Sequence, residues 1–294
     1  MITVKVPATS ANLGAGFDAL GLAVSLYNDF YIDESDDVCI RSLDDADIPT
    51  DETNLVYSTV RTLYEECGKQ LKGLKIEQVN RIPMTRGLGS SSSCIVAGLL
   101  AGNILLGKPL GVDDLVDLAA RLEGHPDNTT PALLGGIVTS VFDGGKVHYV
   151  RQEVDSRLHF VAIIPDFELK TSVARQCLPK TIPFKDAVHN LSRAALFSSS
   201  LLTGKYENLR VSVEDVLHQP YRLPLISHAE NVMKKCYDYG AYAVYVSGAG
   251  PTIMAVVNGL DKSFVPVMKR YLESEDLHWE IKGLTIDNTG TQIM

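Results

Sequence analysis

The chain has 294 residues, enough for two domains or one large one. At 45% hydrophobic and 21% charged residues it has an ordinary globular composition, and a chain of this length needs no disulfide or metal staple to build a core. The net charge of −9, from 27 basic and 36 acidic residues, comes without any basic stripe, which excludes general nucleic-acid binding.

Most of that charge lies in one place: between Asp33 and Glu52 there are nine acids and one base, Arg41. The segment reads as a solvated strand and loop. The five cysteines, Cys39, Cys67, Cys94, Cys177 and Cys236, are odd in number and form no C-x-x-C pair. They argue against a disulfide framework and a zinc site and fit a reducing compartment. Residues 1–8 show no basic region followed by an apolar run. The longest apolar stretch, Ile95 to Leu106, is interrupted by Gly98, Gly102 and Asn103 and falls short of the ~20 residues a bilayer requires. A cytoplasmic protein with no membrane partner is expected.

In chain order, Ile2 to Val6 predicts a short strand ended by Pro7, followed by a loop of small and polar residues through Asp18. Asn54 to Cys67 predicts a helix stopped by Gly68, and Leu74 to Val79 alternates as a strand does. Ser90 to Leu106, small or apolar all round, predicts a buried helix, and Val112 to Leu122 another. Gly135 to Phe142 and Lys146 to Arg151 flank Asp143-Gly144-Gly145, a hairpin signal. Leu158 to Ile164 is an apolar strand, and a domain boundary is expected near residues 151–157. Beyond it helices are expected near 185–203, 206–217 and 225–239. Strands follow at Tyr242 to Ser247 and Thr252 to Val257, then a helix near 262–273 and a strand near 277–286.

The chemistry concentrates in a few segments. Pro83-Met84-Thr85-Arg86-Gly87-Leu88-Gly89-Ser90-Ser91-Ser92-Ser93 follows a strand and opens the buried helix. Glycines allow close approach, first-turn N–H groups face an anion, and serine hydroxyls can meet phosphate or Mg²⁺, so the segment reads as a phosphate cradle. Gly102 to Pro109 nearly matches a Walker A loop, but Pro109 replaces the required hydroxyl and the segment closes a helix rather than opening one. Pro7 to Asp18 carries Asn12 and Asp18 as ligand-facing candidates. Glu123-Gly124-His125-Pro126-Asp127-Asn128 ends a helix with two carboxylates four residues apart, suited to a metal and a substrate. His125 before a proline reads as structural rather than as a base. Arg175 in Thr171-Ser172-Val173-Ala174-Arg175 and Arg222 each read alone as surface residues, and Ser247-Gly248-Ala249-Gly250-Pro251-Thr252 can turn backbone N–H groups toward a ligand.

Taken together and in this order, PATSANLGAGFD, PMTRGLGSSSS and SGAGPT resemble the GHMP small-molecule kinases over nearly the whole chain. EGHPDN, TSVAR and HQPYR are most similar to the homoserine-phosphorylating branch, with Ala15 where a proline is usual and Ser92 where alanine is common. The resemblance implies an α+β two-domain fold. Residues 1–154 would form a mixed α/β ATP-binding domain with the phosphate loop at a helix N-terminus. Residues 155–294 would form a ferredoxin-like α+β domain.

It further implies ATP and L-homoserine as small-molecule partners, Mg²⁺ as cofactor, and room for a homodimer. Pro83 and Arg86 through Ser93 would cradle ATP, with Asn54 near the adenine. Ser91, or its neighbour Ser90, and Glu123 would hold Mg²⁺, with Asp117 as the alternative acid. Arg175 and Arg222 would hold the substrate carboxylate, with Thr171 assisting, while Asn12 and Asp18 face the amino and hydroxyl end and Gly248 lines the site. Asp127 and Asn128 occupy the catalytic position. Asn128 cannot act as a base, and Asp127 would either take the hydroxyl proton or hold the ammonium. Readings that remain beside this one are a GHMP kinase of another substrate, such as mevalonate or shikimate, and a non-catalytic sensor that binds ATP and a metabolite.

Overall fold

The computed structural model describes residues 1–294. Two sheets organise it. The first contains β1 (Ile2–Ala11), β2 (Leu20–Ser35), β3 (Cys39–Ser42), β4 (Gly73–Asn80), β5 (Ile137–Asp143), β6 (Lys146–Gln152) and the terminal β11 (Gln292–Ile293). Its path runs β11-β1-β2-β4-β3, and β5, with β6 beyond it, pairs with the N-terminal end of β2. Helix α1 (Leu55–Glu66) connects β3 to β4, which pair in parallel, as a crossover helix allows. Helices α2 (Ser90–Leu105), α3 (Val112–Glu123) and α4 (Pro126–Leu134) complete this half.

The second sheet has the order β10-β7-β9-β8, all antiparallel, from β7 (Leu158–Ile164), β8 (Ala243–Val246), β9 (Ile253–Asn258) and β10 (Glu280–Thr285). Helices α5 (Thr171–Gln176), α6 (Phe184–Thr203), α7 (Leu209–Ser212), α8 (Gln219–Arg222) and α9 (Ala229–Asp238) lie between β7 and β8, and α10 (Phe264–Ser274) between β9 and β10. This is the ferredoxin-like strand order. Apart from the partly exposed His159, β7 is apolar throughout, which follows from burial on both faces. Leu158, Phe160, Ala162 and Ile164 pack in one core cluster, whereas Val161 and Ile163 pack in another with Val232, Phe264 and Met268 of α9 and α10. The first of these clusters also contains Ala8, Leu22 and Val24, so one core joins the two sheets.

Several expectations are corrected. The first strand does not stop at Pro7 but continues to Ala11 through a register shift between Pro7 and Ala8, because Pro7 sits at a bulge where its missing donor is tolerated. The 16-residue β2 was not anticipated; it begins at Leu20, just beyond the catalytic-type loop. The helix expected over 206–217 is broken. A single turn at Tyr206–Asn208 leads into α7, and the chain then turns where Asp215 accepts backbone N–H bonds from Leu217, His218 and Gln219. EGHPDN does not merely end α3; Pro126 sits at the first position of a further helix, α4. The last strand is shorter than expected, and the chain returns to the first sheet as β11.

Candidate active site

One cleft lies between the two halves. Its walls include Asn12 and Asp18 from the loop after β1, the segment Thr85 to Ser92, Glu123, His125, Asp127 and Asn128, and Thr171, Arg175, Arg222 and Gly248 from the second half. Pro83 and Leu88 also border it. The cleft thus collects residues up to 236 positions apart, as the 2.9 Å bond from Asn12 Nδ2 to the Gly248 carbonyl illustrates.

The phosphate-loop segment begins α2 as expected. Gly89 caps the helix at φ +72°, and a Cβ there would lie 2.0 Å from Thr9 Oγ1, so only glycine fits both the backbone and the contact with β1. No acid occupies the first turn of α2, and its N-terminal N–H groups and dipole remain directed at the cleft. Thr9 N–H donates to the Leu88 carbonyl, and Ser247 Oγ donates to the Gly87 carbonyl, fixing the loop from both halves. The Ser91 and Ser92 hydroxyls donate to the two carboxylate oxygens of Glu123 at 3.3 and 3.1 Å.

Three residues of this group have other tasks. Ser93 is buried, donates to the Ser90 carbonyl, accepts from Asn28 and does not line the cleft. Arg86 reaches the cleft, but its guanidinium donates to the carbonyls of Pro165 and Asp166, docking the loop on the second half. Asn54 caps α1, accepting from the Val56 and Tyr57 amides. It lies in a neighbouring hollow with Ile48, Pro49, Leu55, Ser91 and Cys94, where an aromatic base can be held by apolar contacts. Asp117 is excluded as the alternative acid in the cleft: it lies outside it and accepts the Val147 amide at 2.7 Å.

On the opposite wall Asn12, Asp18 and Arg175 form a connected set. Asn12 and Asp18 adopt left-handed backbone, φ +71° and +55°, and the Asn12 side chain ties the loop: Oδ1 accepts from Asp18 N–H and one Nδ2 hydrogen goes to the Gly248 carbonyl. The second Nδ2 hydrogen has no protein acceptor, and Asn12 lines the cleft. Arg175 donates to both Asp18 oxygens, at 2.7 and 3.1 Å. Arg222, read from sequence as a surface residue, is 2% exposed. Its Nη1 donates to the Gly248 carbonyl at 2.7 Å and its Nε to the Ala174 carbonyl. Burial and the neighbouring Arg175 cation pull the Arg222 pKa below its ordinary value.

His125 was read as structural, and it supports Asp127: Nδ1 lies 2.6 Å from Asp127 Oδ1. Burial disfavours its charged form, but the bond to Asp127 and the charges of Asp127, Glu123 and Asp18 outweigh that and raise its pKa. Asp127 is 2% exposed. A Cβ on Gly21 of β2 would meet the Asp127 carbonyl at 1.8 Å, so the start of α4 lies directly on the strand. Sequence reasoning missed two supporting residues. Thr9 donates from its hydroxyl to Asn128 Oδ1, and His218 sits between Gly14 and Arg222. Both occur inside the quoted motifs, PATSANLG and HQPYR, and that was their only signal.

An anion-binding helix start, an adjoining acid with two hydroxyls, and a facing pair of arginines define a phosphotransferase for a small charged substrate. Family comparisons agree with this class: GHMP kinases N terminal domain matches residues 54–136 and GHMP kinases C terminal matches residues 197–265. The homoserine kinases of Clostridium beijerinckii and Caldicellulosiruptor bescii are each 46% identical, across 100% of this chain and 99% and 97% of theirs. The crystal structure of homoserine kinase from Cytophaga hutchinsonii superposes with a TM-score of 0.88 at 31% identity, covering 100% of this chain and 97% of that one. The crystal structure of L. major mevalonate kinase shares the fold, with a TM-score of 0.73 at 18% identity over 97% of this chain and 96% of that one. The chain belongs to the GHMP kinase family, in its homoserine kinase branch.

Proposed function

We propose that the chain transfers the γ-phosphoryl group of ATP to the side-chain hydroxyl of L-homoserine, giving O-phospho-L-homoserine, a step toward threonine. The observation that carries this reading is the Arg175–Asp18 pair beside Arg222, facing the phosphate loop across one cleft. A zwitterion needs a cation for its carboxylate and an anion for its ammonium. Arg175 and Asp18 supply one of each, and Arg222 adds a second cation at the cleft, with Nη2 as the guanidinium nitrogen left without a protein acceptor. A sugar or mevalonate would leave Asp18 without an ammonium.

In this reading the N–H groups of Gly87 to Ser92 hold the ATP phosphates, and the hollow beside Asn54 takes the adenine. Glu123 with Ser91 and Ser92 offers hard oxygen donors next to that loop, a set that fits Mg²⁺. Bound there, the ion would neutralise charge on the β- and γ-phosphoryl oxygens. Asp127 orients the substrate, its Oδ1 held 2.6 Å from His125 Nδ1, and Asn128, with its carbonyl taken by Thr9, turns its amide nitrogen toward the Asp127 side of the cleft. The new bond joins the substrate oxygen to the γ-phosphorus as the bond to the bridging β,γ-oxygen breaks, and the hydroxyl proton departs to the phosphoryl oxygens or to Asp127. Positioning and charge provide most of the catalysis. An Asp127→Asn variant distinguishes the two proton routes: loss of kcat at constant KM favours the aspartate, whereas a KM effect favours its substrate-holding role. A division into 1–154 and 155–294 is supported by the two separate sheets, although the chain's end returns to the first half at Ile286 and in β11. No helix is long and apolar enough to cross a membrane, which supports a cytoplasmic setting.

The test is ADP release with Mg-ATP against L-homoserine, mevalonate, galactose and shikimate. Turnover on homoserine alone is expected. Turnover on another substrate would overturn the roles of Asp18, Arg175 and Arg222, and ATP binding without turnover would establish a sensor instead.

A further inference from the structure

We propose that Phe17 is a positioning residue for the substrate carboxylate: its ring packs against both the Arg175 and the Arg222 guanidinium without taking an N–H donor from either. This rests on the homoserine reading of the same cleft.

The Arg175 Cζ lies 5.5 Å from the Phe17 ring centroid and the Arg222 Cζ 5.3 Å. The same ring meets the His218 imidazole, centroid to centroid, at 5.3 Å. Phe17 is half-buried and does not line the cleft, so it acts from behind the arginines rather than on the substrate. Two cations aimed at one carboxylate repel each other, and Arg175 contributes to the depressed pKa of Arg222. Asp18 holds Arg175 at the expense of its two terminal nitrogens, which the substrate carboxylate needs. An aromatic ring attracts both cations through its quadrupole and takes no N–H donor from either.

The other contacts fit this division of labour. Arg222 is fixed on the far side by neutral acceptors, the carbonyls of Gly248 and Ala174 and His218 Nδ1 at 3.2 Å. His218 is neutral, since burial pulls its pKa down, and its Nε2–H donates to the Gly14 carbonyl at 2.7 Å. Arg175 has only one charged partner, Asp18. When Asp18 turns to an ammonium, the Phe17 ring is the contact that keeps Arg175 in place. Phe17 and Asp18 are consecutive, so one loop sets both the ammonium and the carboxylate positions.

The experiment compares Phe17→Leu and Phe17→Tyr with the unaltered enzyme, each first checked for native circular dichroism and melting temperature. Phe17→Leu keeps an apolar side chain and removes the ring face. Its KM for homoserine should rise about 10-fold. The inhibition constant of L-2-aminobutyrate, which has the amine and carboxylate but no hydroxyl, should weaken equally. Its kcat and its KM for ATP should stay within about 2-fold, and Phe17→Tyr should restore the homoserine KM. An unchanged homoserine KM, or a parallel loss in all three parameters, overturns the proposal. A readout without substrate separates it from the homoserine reading: the order of the Arg175 and Arg222 side chains, from nitrogen-15 relaxation of their Nε–H groups, should fall in Phe17→Leu and not in Phe17→Tyr. If homoserine is not turned over but that order falls, the substrate assignment fails while the ring's hold on the two arginines stands; if the order is unchanged, the positioning role fails.

Discussion

The Thr9 hydroxyl donates to Asn128 Oδ1 at 2.8 Å, linking the end of the first strand to the first turn of α4. Thr9 is fully buried and also contacts the glycine that begins the phosphate-loop helix. The phosphate loop and the start of α4 therefore meet one side chain, which lies 119 residues before Asn128. Thr9→Val removes the hydroxyl at nearly constant volume and frees the Asn128 amide to rotate. A fall in kcat of about 10-fold is expected, with KM little changed and Thr9→Ser restoring most of the rate. Steady-state kinetics on the three forms checks it.

Glu123 is the acid beside the phosphate loop, and its two oxygens are shared by Ser91 and Ser92. Glu123→Gln should lower kcat roughly 100-fold and shift the Mg²⁺ dependence to higher concentration. Chelation of Mg²⁺ should abolish turnover in the unaltered enzyme. A Mg²⁺ titration of the rate at saturating ATP reads both, and an unshifted Mg²⁺ midpoint in the variant would place the metal elsewhere.

Gly21 supports Asp127 through the absence of a side chain. Its backbone is not left-handed, so the constraint is purely space: an added Cβ would lie 1.8 Å from a backbone oxygen. Gly21→Ala should destabilise the fold by roughly 1–3 kcal/mol and displace the start of α4. Thermal unfolding measures the first effect. The second should appear as a loss of activity at temperatures where the variant is still folded.

The His125–Asp127 pair makes a prediction with a definite sign. The folded-state pKa of His125 is raised above its ordinary value of 6.5. The pair therefore stabilises the protein fully below about pH 6.5, and that contribution is lost as pH rises through the raised value. An NMR titration of the His125 ring should show a midpoint above 6.5, moving down in Asp127→Asn. The stability difference between the two forms should shrink as pH increases.

Local signals in the sequence were enough for the parts of this protein that depend on neighbours along the chain. Apolar periodicity located α1, β4, α2, α3 and the 137–152 hairpin to within a residue or two, and β7 without error. Turn chemistry and an unbroken apolar run are local properties, as is a helix beginning at a serine cluster. Local reading failed where a distant contact determines the backbone. The turn that follows α7 is held by Asn190 of α6, which donates to Asp215 Oδ1 and accepts the Val216 amide. Pro126 and Pro131 look like a loop but fit a helix laid against Gly21.

By itself the sequence determined the chemical inventory: a phosphate-binding helix start, paired acids, two arginines and the motif order that marks the family. It also determined the class of fold, through the alternation of strands and helices in each half. Only the tertiary structure decided which groups are available to a ligand. It buried Arg222, aligned Arg175 with Asp18, gave Ser93, Asn54 and Asp117 to structural bonds, and brought the Phe17 ring within 5.5 Å of both arginine guanidiniums. The physical reason is that a polar side chain removed from water must find partners, and those partners come from chain segments that meet only when the two sheets close on a common core.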